Sequence, residues 1–124
     1  MNKYSVWFRG VVLFGVLANL FIALIGIPAP NTLIGIVGGE PVIHTIWPSF
    51  ACVLLLLLSL FYIPAALDPF KHRLAAIYTV IARLAGVVFF LLIHTEYKVF
   101  GIFDLVFFVP EAVLLLLAYK QGPD

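Results

Sequence analysis

Apolar residues run along the chain in four long stretches, at 10–27, 46–67, 74–93 and 102–119. Each stretch is long enough to cross a hydrocarbon layer of about 30 Å at a helical rise of about 1.5 Å per residue. The pattern predicts an all-α fold, an integral membrane four-helix bundle in which residues 1–124 form a single domain. Because the later helices are joined by short links, an antiparallel, up-and-down order is expected.

Composition supports the membrane assignment. Hydrophobic residues make up 65% of the 124 residues and charged residues 10%, whereas soluble domains average about 45–50% and about 25%. A soluble fold of this size could not bury so much apolar surface, so the excess is expected to face lipid. The net charge of +1 argues against nucleic acid as a partner. The single cysteine, Cys52, excludes an internal disulfide.

Basic residues are distributed unequally between the segments that connect the helices, which predicts the orientation of the bundle. One group lies in the two tails and the 68–73 link, and consists of Lys3, Arg9, Lys71, Arg73 and Lys120. The opposite side has only Lys98, in the 94–101 link. Because Lys and Arg accumulate in cytoplasmic loops, both termini are expected in the cytoplasm.

The long link at 28–45 is almost as apolar as the helices, which is unusual for a loop in water. A short helix is predicted at about 31–38, where an Asn-Thr pair can cap its start and a Gly-Gly pair can end it. Two placements remain open. The segment lies on the outer face of the bilayer or caps the bundle, or it is an irregular apolar loop packed on the helix ends.

Three ionisable residues fall inside the predicted helices: Arg83, Asp104 and Glu111. A charge at the bilayer centre costs at least about 2.5–3.5 kcal/mol, so each of them needs a partner or a function. Counted from the cytoplasmic ends of their helices, Arg83 and Glu111 lie at depths of about 13 and about 12 Å. The matching depths predict an ion pair between the third and fourth helices.

The same spacing extends this polar seam toward the outer side. Asp104 precedes Glu111 by close to two turns, so the two acids share a face of their helix. His94 follows Arg83 by close to three turns, which predicts a contact between His94 and Asp104. Further contributors to the seam, by their position along the helices, are Asn19, Ser59, Tyr62 and His44.

The segments IWPSFACVLLLLLSLFYIPAALDPFKHR, ARLAGVVFFLL and FGIFDLVF resemble small bacterial four-helix membrane proteins of the broad DoxX-like group. The polar positions that carry the resemblance are Trp47-Pro48, Asp68-Pro69, Arg83, Gly86 and Asp104. The resemblance implies a compact four-helix bundle in the bacterial inner (cytoplasmic) membrane. It implies no single activity. Some members are named for an association with quinone-linked oxidation, and no motif in this chain carries that role over.

Three functions are compatible with these features. The leading expectation is a non-enzymatic accessory or interaction subunit of a larger membrane complex, because catalytic motifs are absent from the sequence and the seam can satisfy its own charges. The first alternative is a binder or transporter of a lipid, quinone or other amphiphile. In that case Arg83, Glu111 and Asp104 would line a cavity opened by the helix-breaking effect of Pro110.

The second alternative is a haem or metal redox subunit that uses His44 and His94. Two imidazoles that face each other across a bundle can ligate haem iron, and both of these histidines are expected on the outer side. No cofactor is required by the sequence. The expected partners are membrane lipids and either other membrane subunits or a second copy of the chain.

The orientation can be tested with a cysteine at position 71. In a Cys52→Ala background, Lys71→Cys is expected to react with a membrane-impermeant maleimide only when the cytoplasmic face is opened, because the 68–73 link is expected inside. Thr95→Cys is the matched control and should react in intact cells. Labelling of position 71 in intact cells would contradict the orientation.

Overall fold

The computed structural model describes residues 2–123, which are helical over most of their length and contain no strand. In chain order the elements are α1 (Lys3–Gly26), α2 (Pro30–Ile36), α3 (Ile46–Leu67), α4 (Arg73–Val88), a π-helical turn (Phe89–Ile93), a 3-10 turn (Thr95–Tyr97) and α5 (Lys98–Gln121). With α4 counted together with its π-helical turn and α5 with its 3-10 turn, four helices in this part of the chain are long and apolar enough to cross a membrane. The all-α fold with four helices long and apolar enough to cross a membrane, as expected from the sequence, is therefore confirmed.

The first helix begins well before the apolar stretch at 10–27. Asn2 caps it, since the side-chain oxygen of Asn2 accepts a hydrogen bond of 2.9 Å from the Ser5 N–H. A cap of this kind satisfies one of the free N–H groups of the first turn, so the helix can start outside the apolar run. The last helix likewise extends on both sides of 102–119. Hydropathy marks the part of a helix that suits lipid, and not where the helix starts.

The four long helices form a closed ring. α1 packs against α3 and α5, α4 packs against the same two helices, and the contact between α1 and α3 is the most extensive. The core between them is built from Phe8, Val12, Val16, Tyr62 and Leu115, together with three alanines, Ala65, Ala66 and Ala76, that have no exposed surface. Small residues at such positions let helix backbones approach closely.

Hydrogen bonds gather several chain segments at one end of the ring. The side-chain amide of Asn2 donates to the Ala118 carbonyl at 3.0 Å. Arg9 donates to the last carbonyl of α3 at 2.9 Å, and the Tyr119 hydroxyl donates to the Pro69 carbonyl at 2.8 Å. The start of α1, the end of α5 and the link between α3 and α4 therefore meet at this end.

The ends of the short helix α2 are determined by a proline and a glycine. Pro30 occupies its first turn, where the missing N–H costs nothing. Gly38, just after the helix, has a φ of 87°, a left-handed conformation that suits glycine. The expected Asn-Thr cap is not formed. Instead the Asn31 side chain bonds to both backbone groups of Val42, at 3.0 and 2.8 Å, and so closes the long link on itself.

The apolar face of α2 packs back onto the bundle. Leu33 and Ile34 are buried, and Leu33 belongs to a small core cluster with Ala23 of α1 and Cys52 of α3. Further along the link, a Cβ at Gly39 would collide with the ring of Tyr97. The long link is thus held on the ends of the helices.

Gly26 lies where α1, α2 and α3 meet, and its substitution tests this junction. A Cβ at Gly26 would collide with the Cys52 sulfur and lie 2.8 Å from a Leu33 methyl carbon. Gly26→Ala is expected to lower the free energy of unfolding in detergent micelles by about 1–3 kcal/mol through overpacking. Gly10→Ala in the same helix is the control, because nothing lies within 4 Å of a Cβ there. An equal effect of both substitutions would contradict the packing.

Candidate functional site

Arg83 lies in the interior of α4 and is only 3% exposed. Its guanidinium donates to Asp104 at 2.8 Å and to the Asn19 side-chain oxygen at 3.3 Å. The two acceptors come from α5 and α1, so side chains of the neighbouring helices replace the water that the cation has lost. Asn19, Arg83, Asp104 and Glu111 are termed the Arg83 cluster.

Glu111 is the second acid near the guanidinium. It is 1% exposed, and its Oε2 lies 3.8 Å from Arg83 Nε, an ion-pair distance that is too long for a hydrogen bond. Within residues 2–123, Arg83 Nε and Glu111 Oε1 have no hydrogen-bond partner. The structure thus brings together the two residues that depth predicted, but Asp104, at 2.8 Å, is the closer partner.

Two glycines make room for the ion pair. A Cβ at Gly86, one turn after Arg83, would collide with the Asp104 carboxylate. A Cβ at Gly15 would lie 2.7 Å from Arg83 Nη2, so the guanidinium packs against the bare backbone of α1. The Phe107 ring lies 4.8 Å from the guanidinium carbon, within the range of a cation–π interaction. Gly15 was missed in the sequence, where its only signal is a glycine inside an apolar helix.

His94 does not belong to the cluster. It is exposed, its Nδ1 lies 3.4 Å from a Glu96 carboxylate oxygen, and its ring lies 4.9 Å from the Phe89 ring. The expected contact with Asp104 is not present among the described residues. The expectation assumed an α-helix as far as residue 94, whereas the π-helical turn, closed by the His94 N–H on the Phe89 carbonyl, changes the register.

The other residues that the sequence singled out have separate roles. The Ser59 hydroxyl donates to a carbonyl of its own helix, and Tyr62 is buried in the apolar core. His44 is exposed in the long link, and it shares no described hydrogen bond or ring contact with His94. Residues 2–123 contain no group of three or more His, Cys, Asp or Glu side chains arranged to hold a metal ion. Of the further contributors, Asn19 alone is described with a hydrogen bond to Arg83.

A cavity of about 610 Å³ lies beside the cluster. Asp104 and Asn19 form part of its wall, and α2 and the long link cover it with Pro30, Leu33 and Ile34. Arg83 and Glu111 do not line it. The prediction of a cavity opened by Pro110 and lined by these two residues was therefore wrong. α5 continues through that proline without a break. The cavity forms instead where the π-helical turn follows α4 and the long link covers the helix ends.

The cavity opens at the surface of the bundle. Trp47 of α3 and Phe89 of the π-helical turn both line it, yet they are 71% and 46% exposed. Side chains that line a cavity and also reach the outer surface mark its mouth. The side chains exposed around this mouth are largely apolar, as suits a surface in contact with lipid.

The two acids are expected to differ in their importance for stability. Asp104→Asn removes the charge that bonds directly to a buried guanidinium, so it is expected to lower the free energy of unfolding by about 3–5 kcal/mol. Glu111→Gln keeps the shape and removes one of two carboxyls that share one guanidinium, so a change within about 1 kcal/mol is expected. Denaturant unfolding in micelles measures both. A larger loss for Glu111→Gln would show that the 3.8 Å contact is the more important one.

Comparison with known proteins identified no relative. No protein-family model matches the chain, and no curated protein or solved structure matches it. The resemblance to the DoxX-like group therefore remains a prediction from the sequence. The functional interpretation depends on the cluster and on the cavity beside it.

Proposed function

We propose that the protein is a non-enzymatic membrane protein that binds an amphiphile, such as a lipid, a quinone or another molecule with an apolar body and a polar head. The observation that carries this proposal is the cavity of about 610 Å³ inside the bundle. Ligand sites in proteins typically measure about 300–1,000 Å³ and combine apolar walls with a few polar groups. In this cavity Asp104 and Asn19 supply that polar part.

The polar end of the cavity is expected to decide what binds. Lipid tails are as apolar as the walls, so an apolar body gains little by leaving the bilayer. A polar head gains much more, because unsatisfied polar groups are costly in hydrocarbon. Asp104 is held in place for such a contact by its bond to Arg83. Selection of the ligand would therefore depend on its head.

The proposal includes an antiparallel topology in the bacterial inner membrane, with both termini in the cytoplasm. The excess of Lys and Arg in the tails and the 68–73 link supports it. The hydrogen bonds from Asn2 and Tyr119 are consistent with these segments sharing one side. In this topology the cavity belongs to the outer half of the bilayer.

A role as an accessory subunit of a larger membrane complex is the second candidate. A groove of about 550 Å³ between α1 and α5 on the outside of the ring favours it, with Trp7, Phe14 and Val106 in its walls. Gly10 also lines this groove, and small residues allow a second membrane helix to approach closely. Stable association with a larger membrane protein after mild extraction would favour this role over ligand binding.

Native mass spectrometry of protein extracted in mild detergent tests the amphiphile proposal. We expect one non-covalently bound amphiphile per chain. Ala51→Phe should remove it, because Ala51 lines the cavity and a phenyl ring there would occupy the space. Ala85→Phe is the matched control, since Ala85 is exposed on α4 and does not line the cavity.

Glu111→Gln should also retain the amphiphile, because Glu111 lies outside the cavity. Absence of any bound amphiphile from the unsubstituted protein would contradict the proposal. Equal occupancy in the two Ala→Phe variants would contradict the position of the site.

A further inference from the structure

Six aromatic side chains contribute to the wall of the cavity. The six that line it are Trp47, Phe89, Phe90, Tyr97, Phe100 and Phe103. Several are in contact, with ring centroids 5.0 Å apart for Phe89 and Phe90 and 5.4 Å apart for Phe90 and Phe100. The faces of aromatic rings carry negative charge density, and a group of faces around a small space attracts a positive charge.

The charged side chains around the cavity also favour a positively charged ligand. Asp104 is the charged residue among those that line it, and neither Lys nor Arg does so. Behind Asp104, the cluster sets two carboxyls against the single guanidinium of Arg83. An anionic head in the cavity would lie beside a carboxylate with no cation in the wall to compensate it. A cationic head would lie beside a carboxylate and between rings.

Arg83 offsets part of the charge of the two carboxyls but does not itself reach the cavity wall. The guanidinium carbon lies 4.8 Å from the centre of the Phe107 ring and 5.4 Å from the centre of the Phe103 ring, and Phe103 lines the cavity whereas Phe107 does not. Arg83 orients Asp104 through one carboxylate oxygen and is itself absent from the cavity wall. An ionised carboxylate accepts hydrogen bonds and donates none, so its preferred partners are cations and hydrogen-bond donors.

We propose that the ligand of the cavity is a hydrophobic organic cation, an ammonium or phosphonium centre with apolar substituents. This inference rests on the proposed amphiphile site and specifies the head of the ligand. The positive centre lies near the Asp104 carboxylate and the apolar substituents lie against the rings. A quaternary centre has no N–H to satisfy, so rings and one carboxylate are sufficient partners for it.

Trp47 provides a direct signal, because the chain has only 2 tryptophans and Trp47 is in the cavity wall. In a Trp7→Phe background, Trp47 fluorescence is titrated with tetraphenylphosphonium and with tetraphenylborate, which have the same shape and opposite charge. The protein is placed in phosphatidylcholine nanodiscs, and the signal of discs without protein is subtracted. We expect a saturable change with the cation, at an affinity at least about tenfold higher than for the anion.

Two substitutions separate the charge from the rings. Asp104→Asn is expected to weaken tetraphenylphosphonium binding about tenfold. Phe100→Leu is expected to weaken it several-fold, because it removes an aromatic face and keeps an apolar side chain. Phe100→Leu leaves the Arg83 cluster intact. It therefore tests cation binding even if Asp104→Asn lowers the folded fraction of the protein. Phe61→Leu is the matched control, since Phe61 is 73% exposed on α3 and does not line the cavity.

The outcomes distinguish this inference from the proposed function. Saturable binding of the cation that weakens in Phe100→Leu but not in Phe61→Leu supports it. Equal affinity for the two probes, no saturable change with the cation, or an affinity unchanged in Phe100→Leu overturns it, and the amphiphile site then stands for a ligand of another charge. If native mass spectrometry also finds no bound amphiphile, both the cation and the site are overturned.

Discussion

The buried ion pair between Arg83 and Asp104 is the interaction on which the arrangement of this bundle depends. A guanidinium in the interior of a membrane helix has no water to solvate it, so its donors need acceptors from neighbouring helices. Asp104 of α5 and Asn19 of α1 supply them, and glycines at positions 15 and 86 let the helices come close enough. The polar contacts of Arg83 thus tie α1, α4 and α5 together. α3 makes no described hydrogen bond to the cluster, and the cavity lies on its side.

Asp104 belongs both to the Arg83 cluster and to the cavity wall. A ligand that interacts with its carboxylate would compete in part with Arg83 for the same charge. Glu111 is the second acid near Arg83, at 3.8 Å. The guanidinium of Arg83 is thus shared by two carboxyls, of which only Asp104 also lines the cavity.

Hydropathy alone predicted the four long helices, because the length and polarity of the apolar runs decide whether a segment suits lipid. It could not predict the π-helical turn, which depends on one backbone hydrogen bond at Phe89, and the expected role of His94 failed for that reason. Depth in the membrane predicted that Arg83 and Glu111 would meet. Depth could not show that Gly86 leaves room for Asp104 to lie closer to Arg83 than Glu111 does. The cavity was predicted in the wrong place, since it depends on how α2 packs on the helix ends.

The short connection between α4 and α5 has a consequence for the biogenesis of the protein. Arg83 is synthesised before Asp104 and Glu111, so α4 on its own would carry an unpaired charge into the bilayer, at a cost of at least about 2.5–3.5 kcal/mol. Only His94 and the single 3-10 turn Thr95–Tyr97 separate the π-helical end of that helix from α5. The two helices therefore gain by leaving the insertion machinery together, so that the ion pair forms before either helix meets lipid alone. A longer turn would delay the pairing of α4 with α5 during insertion, although the finished fold would contain the same contacts.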